Sequence, residues 1–224
     1  MPEHQFADRL AAGRALAAPV TLALAAGQSQ AAGQAPPLVL ALPRGGLPVA
    51  AEVARAVGGE LDIVVTRKIG APGQPEFGVG AMAEDGPPVF DGRSLDYLGL
   101  SEVDLAETVD RERAEVARRI ERYRNGRPIA TVTGRSVVLV DDGVATGVTA
   151  RAALRWLRLH RPGRLVFAAP VCSPPAHRAL AAEADAVVCL ATPPDFQAVG
   201  QWYANFAQLT DEEVLGVLAA ERNG

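Results

Sequence analysis

Thirteen residues, Val137-Val-Leu-Val-Asp-Asp-Gly-Val-Ala-Thr-Gly-Val-Thr149, constrain this chain's fold more than any other stretch. Their four leading aliphatics suit a strand buried on both faces. Asp141 and Asp142 end that strand, small residues follow, and helix-forming residues extend from Ala150 to His160. Such a loop can wrap its backbone N–H groups around a phosphate, and the helix N-terminus adds its positive end. Two carboxylates beside it suit a sugar diol or a hydrated Mg²⁺. The bland alternative is a polar turn on a buried strand, with Asp142 starting the turn. Neither the Gly-x-x-x-x-Gly-Lys spacing of a nucleotide P-loop nor the Gly-x-Gly-x-x-Gly of a dinucleotide fold is present. A phosphorylated sugar is the guest this segment suits.

The rest of the chain repeats the pattern. Leu38–Leu42 reads as a buried strand, Pro43–Gly46 as the turn into a helix over Leu47–Val57, and Leu61–Thr66 as a second strand after Gly58-Gly59. Ser101 and Asp104 form a capping box that starts a long helix with an apolar stripe of Leu105, Val109, Val116, Ile120 and Tyr123. Arg164–Val171 is a strand, Pro174–Glu183 a helix, Ala186–Ala191 a strand, and about Asp211 to Arg222 a last helix. Unbroken aliphatic strands alternating with helices predict an α/β fold, a doubly wound parallel sheet covered on both faces. Ligands in such sheets sit at the carboxyl ends of the strands, where Pro43–Gly46, Arg67–Lys68, Asp141–Thr149, Cys172–Pro175 and the stretch after Ala191 converge.

Phe6–Ala26 reads as one or two short helices interrupted at Pro19, and Gln28–Pro37 as a flexible connector. Residues 70–92 are crowded with Gly and Pro and show no helical period, which suggests an active-site cover, with Phe77–Ala83 a short strand inside it. Ala15–Ala26 imitates a signal peptide, but Glu3 and Asp8 spoil the positive n-region and Pro19 breaks the apolar run. A cytoplasmic helix is the expectation. The 224 residues are read as a single domain, with no internal repeat.

Composition narrows the partners. No uninterrupted apolar run is long enough to span a membrane. A net charge of −4 argues against bulk attraction to nucleic acid or an anionic membrane. The arginines of 111–124 could suggest RNA binding, but Glu112, Glu115 and Glu121 interleave them, with Glu115–Arg119 at helical spacing, so a salt-bridged exposed face is expected. Of 22 basic residues 21 are Arg, and Lys68 is the only lysine. Its retention beside Arg67 at a strand end suggests a need for a compact, mobile ammonium, or else chance survival in an Arg-biased chain. Cys172 and Cys189 lie in or beside apolar runs without metal-type spacing and are read as buried free thiols. His4, His160 and His177 form no ligand set.

Val137–Thr149 resembles the phosphoribosyl pyrophosphate (PRPP) signature of the type I phosphoribosyltransferases: four apolar residues, two acids, two apolar, two small, Gly, any residue, Thr or Ser. One position departs, since Gly143 stands where the family has an aliphatic residue. The resemblance extends more weakly from about Leu38 to Phe206, and is strongest to bacterial members whose acceptor is not established. It implies Mg²⁺-dependent transfer of 5-phosphoribosyl from PRPP to a small nitrogenous-base acceptor, with pyrophosphate released. By resemblance, Asp141 and Asp142 contact the ribose and the metal, and Gly143, Val144, Ala145, Thr146, Gly147, Val148 and Thr149 hold the 5′-phosphate. Arg44, Gly45 and Gly46 resemble the pyrophosphate loop, and Arg67 and Lys68 the basic pair at the root of a mobile loop, with Lys68 catalytic. Residues 192–208, with the N-terminal segment, resemble loosely the hood that receives the base, where Phe196, Trp202 and Tyr203 would line an acceptor pocket or else pack the lid. In hypoxanthine-guanine enzymes the position of Ala145 holds an acid that faces the base. Alanine excludes a general base there. The resemblance leaves a homodimer open, and it also admits a PRPP-sensing regulator that binds RNA or a protein partner.

Overall fold

A computed structural model describes residues 5–26 and 35–222, so His4 and most of the expected connector Gln28–Pro37 lie outside the described residues. The chain runs α1 (Arg9–Ala25), β1 (Leu38–Ala41), α2 (Gly46–Val57) and β2 (Glu60–Ile63). It continues as β3 (Thr66–Ala71), β4 (Gln74–Ala83), β5 (Val89–Phe90), α3 (Gly92–Leu98) and α4 (Ala106–Arg124). The second half comprises β6 (Ser136–Val140), α5 (Val148–Leu159), β7 (Arg164–Val171), α6 (Pro174–Ala181), β8 (Ala186–Ala191) and α7 (Asp211–Arg222).

Five strands form an all-parallel sheet in the order β2-β1-β6-β7-β8. Both faces are apolar because helices cover both. Leu38, Leu40, Val137, Leu139 and Phe167 pack under α5 and α6, while Val39, Ala41, Val138, Val140 and Val166 pack under α1, α2, α4 and α7. Each fully buried Val or Leu of this kind stabilises by about 1.5–3 kcal/mol. That alternating burial is the expected doubly wound layering.

Several expectations are corrected. α1 is one continuous helix despite Pro19, because it buries Leu16, Val20 and Leu24 against the sheet and Asp8 caps its start by accepting the Ala11 N–H. The predicted strand Leu61–Thr66 divides: β2 stops at Ile63, and Thr66 begins β3 in a second sheet. The strand expected over Phe77–Ala83 is present within β4, but the rest of the stretch 70–92 is more ordered than the loop expected. It belongs to an antiparallel sheet, β3-β4-β5, whose β3–β4 hairpin turns at Pro72-Gly73 with Gly73 at φ +74°. Proline sets the first turn residue and glycine alone takes the left-handed second one without strain. α3 was not anticipated, although Asp91 accepts the Ser94 N–H at its start and Gly99 closes it in the left-handed conformation.

The two cysteines are joined rather than free. β7 and β8 are neighbouring strands, and the Cα atoms of Cys172 and Cys189 lie 6.5 Å apart with their sulfurs bonded. The seventeen-residue separation hid that adjacency, because parallel strands are brought together by an intervening helix.

Candidate active site at the carboxyl ends of the strands

The carboxyl ends of β1 and β6 and the hairpin border a cavity of about 580 Å³. Its lining includes Gly45, Arg67, Lys68, Asp141, Asp142, the loop residues Gly143 to Gly147 with Thr149, and Val199, so four of the segments expected to converge do so and only Cys172–Pro175 does not. Pro75 and Glu76 from the hairpin tip border it as well.

The loop between β6 and α5 is built to leave donors free. Val144 is fastened to the end of β7, donating its N–H to Val171 and accepting the Ser173 N–H. Ser173 also caps α6 and donates its hydroxyl to the Ala145 carbonyl at 2.5 Å, which commits that oxygen to the protein. Gly147, at φ +76°, turns the chain into α5. Among the described residues, the N–H groups of Ala145, Thr146, Gly147, Val148 and Thr149 have no hydrogen-bond acceptor. Five unpaired donors around a helix start make an anion cradle. Gly143 is the loop's departure from the resembled pattern, and Val199 explains it. A Cβ at residue 143 would lie 2.4 Å from a Val199 methyl, so Val199 fills the space of the missing side chain.

Asp141 and Asp142 share one wall but differ in surroundings. Burial pushes the Asp141 carboxyl well above the usual range and the Asp142 charge adds to this, while the Asp142 N–H and the Lys68 ammonium oppose it. Burial also raises Asp142, opposed chiefly by Arg9, whose Nε donates to Oδ2 at 2.8 Å. These are hard oxygen donors whose buried charge calls for a cation. Among the described residues no three His, Cys, Asp or Glu side chains form a metal cage. One or two carboxylates plus substrate oxygens and water suit Mg²⁺ well, so the donor set fits that ion.

The cationic side is arranged differently from expectation. Lys68 is exposed on the cavity wall and forms no ion pair among the described residues. Arg67 donates to Glu112 of α4 at 2.8 Å, and Arg111, also at the cavity, lies 3.6 Å from the same carboxylate. Arg44 turns away from the lining, with its guanidinium 3.9 Å from Asp211 of α7. That loop presents Pro43 and Gly45 to the cavity instead, and its Pro43–Arg44 peptide bond is cis. At Gly45 only hydrogen fits, since a Cβ would lie 2.0 Å from Asp142 Oδ2.

The expected acceptor residues do not border the cavity. Tyr203 is 2% exposed, stacks near Phe206 and Phe6, and donates its hydroxyl to the Asp142 carbonyl at 2.5 Å. Trp202 packs in the same cluster, and Phe196 is half-buried away from the lining. Trp202 and Tyr203 pack with Phe206 against Phe6, because residues 6–7 pair with residues 202–205 through backbone bonds. Of the three expected acceptor residues, only Tyr203 is fully buried. Sequence reasoning missed Arg9, Arg111, Glu112, Val199 and Ser173. Only Ser173 carried a local signal, a cap preceding Pro174-Pro175.

The arrangement defines an α/β protein that presents an anion cradle and two acids at the tips of a doubly wound parallel sheet. Residues 7–204 match the family model of the phosphoribosyl transferase domain, and the chain belongs to that family. Two Mycobacterium tuberculosis relatives, named "Putative phosphoribosyl transferase Rv0571c" and "Putative phosphoribosyl transferase MT0597", are each 44% identical over 218 residues. Those matches cover 95% of this chain and 46% of each relative, so the chain spans less than half their length. The crystal structure of TT1426 from Thermus thermophilus is similar with a TM-score of 0.77 and 47% identity, covering 96% of this chain and 98% of that one. Among the described residues no helix is long and apolar enough to cross a membrane.

Proposed function

We propose that the chain is a Mg²⁺-dependent phosphoribosyltransferase that moves 5-phosphoribosyl from PRPP to a small nitrogenous-base acceptor and releases pyrophosphate. The observation that carries this reading is the set of free loop N–H groups, those of Ala145, Thr146, Gly147 and Thr149 belonging to residues that line one cavity with Asp141, Asp142 and Lys68. The loop holds the 5′-phosphate. Asp141 and Asp142 receive the ribose hydroxyls and would hold Mg²⁺, which supplies charge neutralisation at the pyrophosphate when bound.

Breaking the C1–O bond leaves positive charge on the ribose and negative charge on the departing pyrophosphate. Lys68 answers that negative charge, and a mobile ammonium can follow it as it develops. Arg67 and Arg111 add to the same wall once a diphosphate competes with Glu112 for them. The β3–β4 hairpin covers the site and excludes water from the cationic sugar. Ala145 offers no proton acceptor to a purine, so a 6-oxopurine acceptor is disfavoured.

A PRPP-sensing regulator that binds RNA or a protein partner is the alternative. It would need a free basic surface on α4, whereas Arg118 and Arg119 bond Glu115, Arg122 pairs with Asp211 and Glu212, and Arg124 pairs with Glu84. Matched charges support the enzyme. The deciding assay is pyrophosphate release from Mg–PRPP across a panel of purine, pyrimidine and other nitrogenous bases. Release with one acceptor supports transfer; PRPP binding without turnover on any acceptor refutes it in favour of the regulator.

A further inference from the structure

We propose that Arg9 is a positioning residue that commits Asp142 to the hood, so that Asp141 is the acid presented to the ribose and its metal. The inference rests on the PRPP reading above and assigns unequal roles to two acids that the sequence presents as a pair.

Three contacts converge on Asp142 from outside its own loop, from Arg9, Tyr203 and Gly45. Arg9, on α1, donates through Nε to Oδ2 at 2.8 Å, with both side chains nearly buried at 12% and 13% exposure. The same guanidinium donates through Nη1 to the Ala207 carbonyl at 2.8 Å and lies over the Phe206 ring at 3.9 Å from its centroid. Tyr203 holds the Asp142 main-chain carbonyl at 2.5 Å. Gly45 closes the remaining side, with no room even for a methyl group beside Oδ2. One oxygen of Asp142 is therefore spent on a charge-assisted bond inside a packed cluster.

Asp141 is placed otherwise. Its Oδ1 accepts the Asp142 N–H at 2.9 Å, and among the described residues no cation pairs with it. A cation brought by the substrate meets an unpaired carboxylate at Asp141 and an already neutralised one at Asp142. Arg9 also ties α1 and the hood residues 206–207 to the acid pair, so the hood's packing sets the orientation of Asp142 without touching substrate.

The test is a double-mutant cycle on the full chain, read as Mg–PRPP affinity by titration calorimetry, with thermal melting measured alongside. Arg9→Gln should weaken Mg–PRPP binding on the order of 10- to 100-fold, the usual effect of removing an outer-shell partner at such a site, because the Asp142 carboxylate released from the hood no longer holds its second oxygen toward the cavity. Arg9→Lys should recover part of that loss, because an ammonium keeps the charge but cannot span Asp142 and Ala207 as a planar fork does. Asp141→Asn should lose more affinity than Asp142→Asn. In the Asp142→Asn background, Arg9→Gln should cost nothing further, whereas in the Asp141→Asn background it should cost its full factor. A general loss of structure would lower melting in every background alike and give equal factors in both. Wild-type affinity in Arg9→Gln, equal factors in the two backgrounds, or a larger loss from Asp142→Asn would each overturn the assignment. A wild-type chain that binds no Mg–PRPP refutes the transferase reading and this inference with it; binding by wild type with no effect of Arg9 refutes the positioning role alone.

Discussion

Replacing Gly45 with alanine should destabilise the protein, although local backbone rules point the other way. Gly45 sits at φ −62° and ψ −35°, where alanine is unstrained. Glycine-to-alanine changes at such positions ordinarily stabilise by about 0.4–1 kcal/mol through the unfolded chain. Here the added Cβ would stand 2.0 Å from Asp142 Oδ2 and 2.6 Å from its Cγ. The carboxylate has little freedom to retreat, because Arg9 holds the same oxygen at 2.8 Å. Overpacking of this kind costs about 1–3 kcal/mol. Displacing the carboxylate from its guanidinium adds the loss of a charge-assisted hydrogen bond, about 1.5–3 kcal/mol. A net loss of about 3 kcal/mol follows after the favourable backbone effect is subtracted. In a domain of this size that lowers the melting temperature by roughly 6–12 °C. Thermal and denaturant unfolding of Gly45→Ala beside wild type measure it directly. An unchanged or raised melting temperature would show that the carboxylate yields freely, and the argument for a rigid Asp142 would fail with it.

Two further outcomes are expected. Glu84 and Arg124 form a buried ion pair, each 4% exposed, and Glu84 also accepts the Val65 N–H. Arg124→Met should cost about 3–5 kcal/mol at neutral pH by leaving the carboxylate buried alone. Burial already raises the Glu84 pKa against the opposing charge of Arg124. A carboxyl raised in the folded state binds its proton more tightly there than in the unfolded chain. Its penalty therefore grows as pH rises through the folded value and fades as pH falls towards 4.5, its ordinary value. Denaturation curves of Arg124→Met should approach wild type on mild acidification, and a gap that widens instead would refute the assignment. Ser173→Ala removes the α6 cap and the bond to the Ala145 carbonyl, so unfolding should report about 1 kcal/mol lost. Phosphate-ester affinity should fall in step as the cradle loosens, and wild-type affinity in that variant would sink the proposed coupling.

The layering was legible because it is local. Each aliphatic run is a few residues long, and Val137–Val140 or Leu165–Phe167 must be buried wherever it lies. The β3–β4 hairpin is also written locally, in the Pro72-Gly73 turn, but the surrounding glycines and prolines mask the strand alternation on either side of it. Residues of the site divide on the same line. Asp141, Asp142, Lys68 and the loop to Thr149 follow from a contiguous motif and its neighbouring strand end, and all but Val148 border one cavity. Arg44 followed from a motif too, yet its long side chain reaches Asp211, since the motif determines backbone position and leaves a flexible guanidinium to the nearest carboxylate.

The sequence by itself determined the alternation of strand and helix and the loop that ends β6, since hydrophobic period and glycine placement act over a few residues. Tertiary structure alone decided the partners. Arg9 meets Asp142 across 133 positions, Glu112 meets Arg67 across 45, and Val199 fills the space beside Gly143. Trp202 and Tyr203, expected to receive a base, pack with Phe6 in a cluster of their own. Contacts of that kind depend on how two faces meet once the sheet has assembled, and no pattern within either segment encodes the meeting.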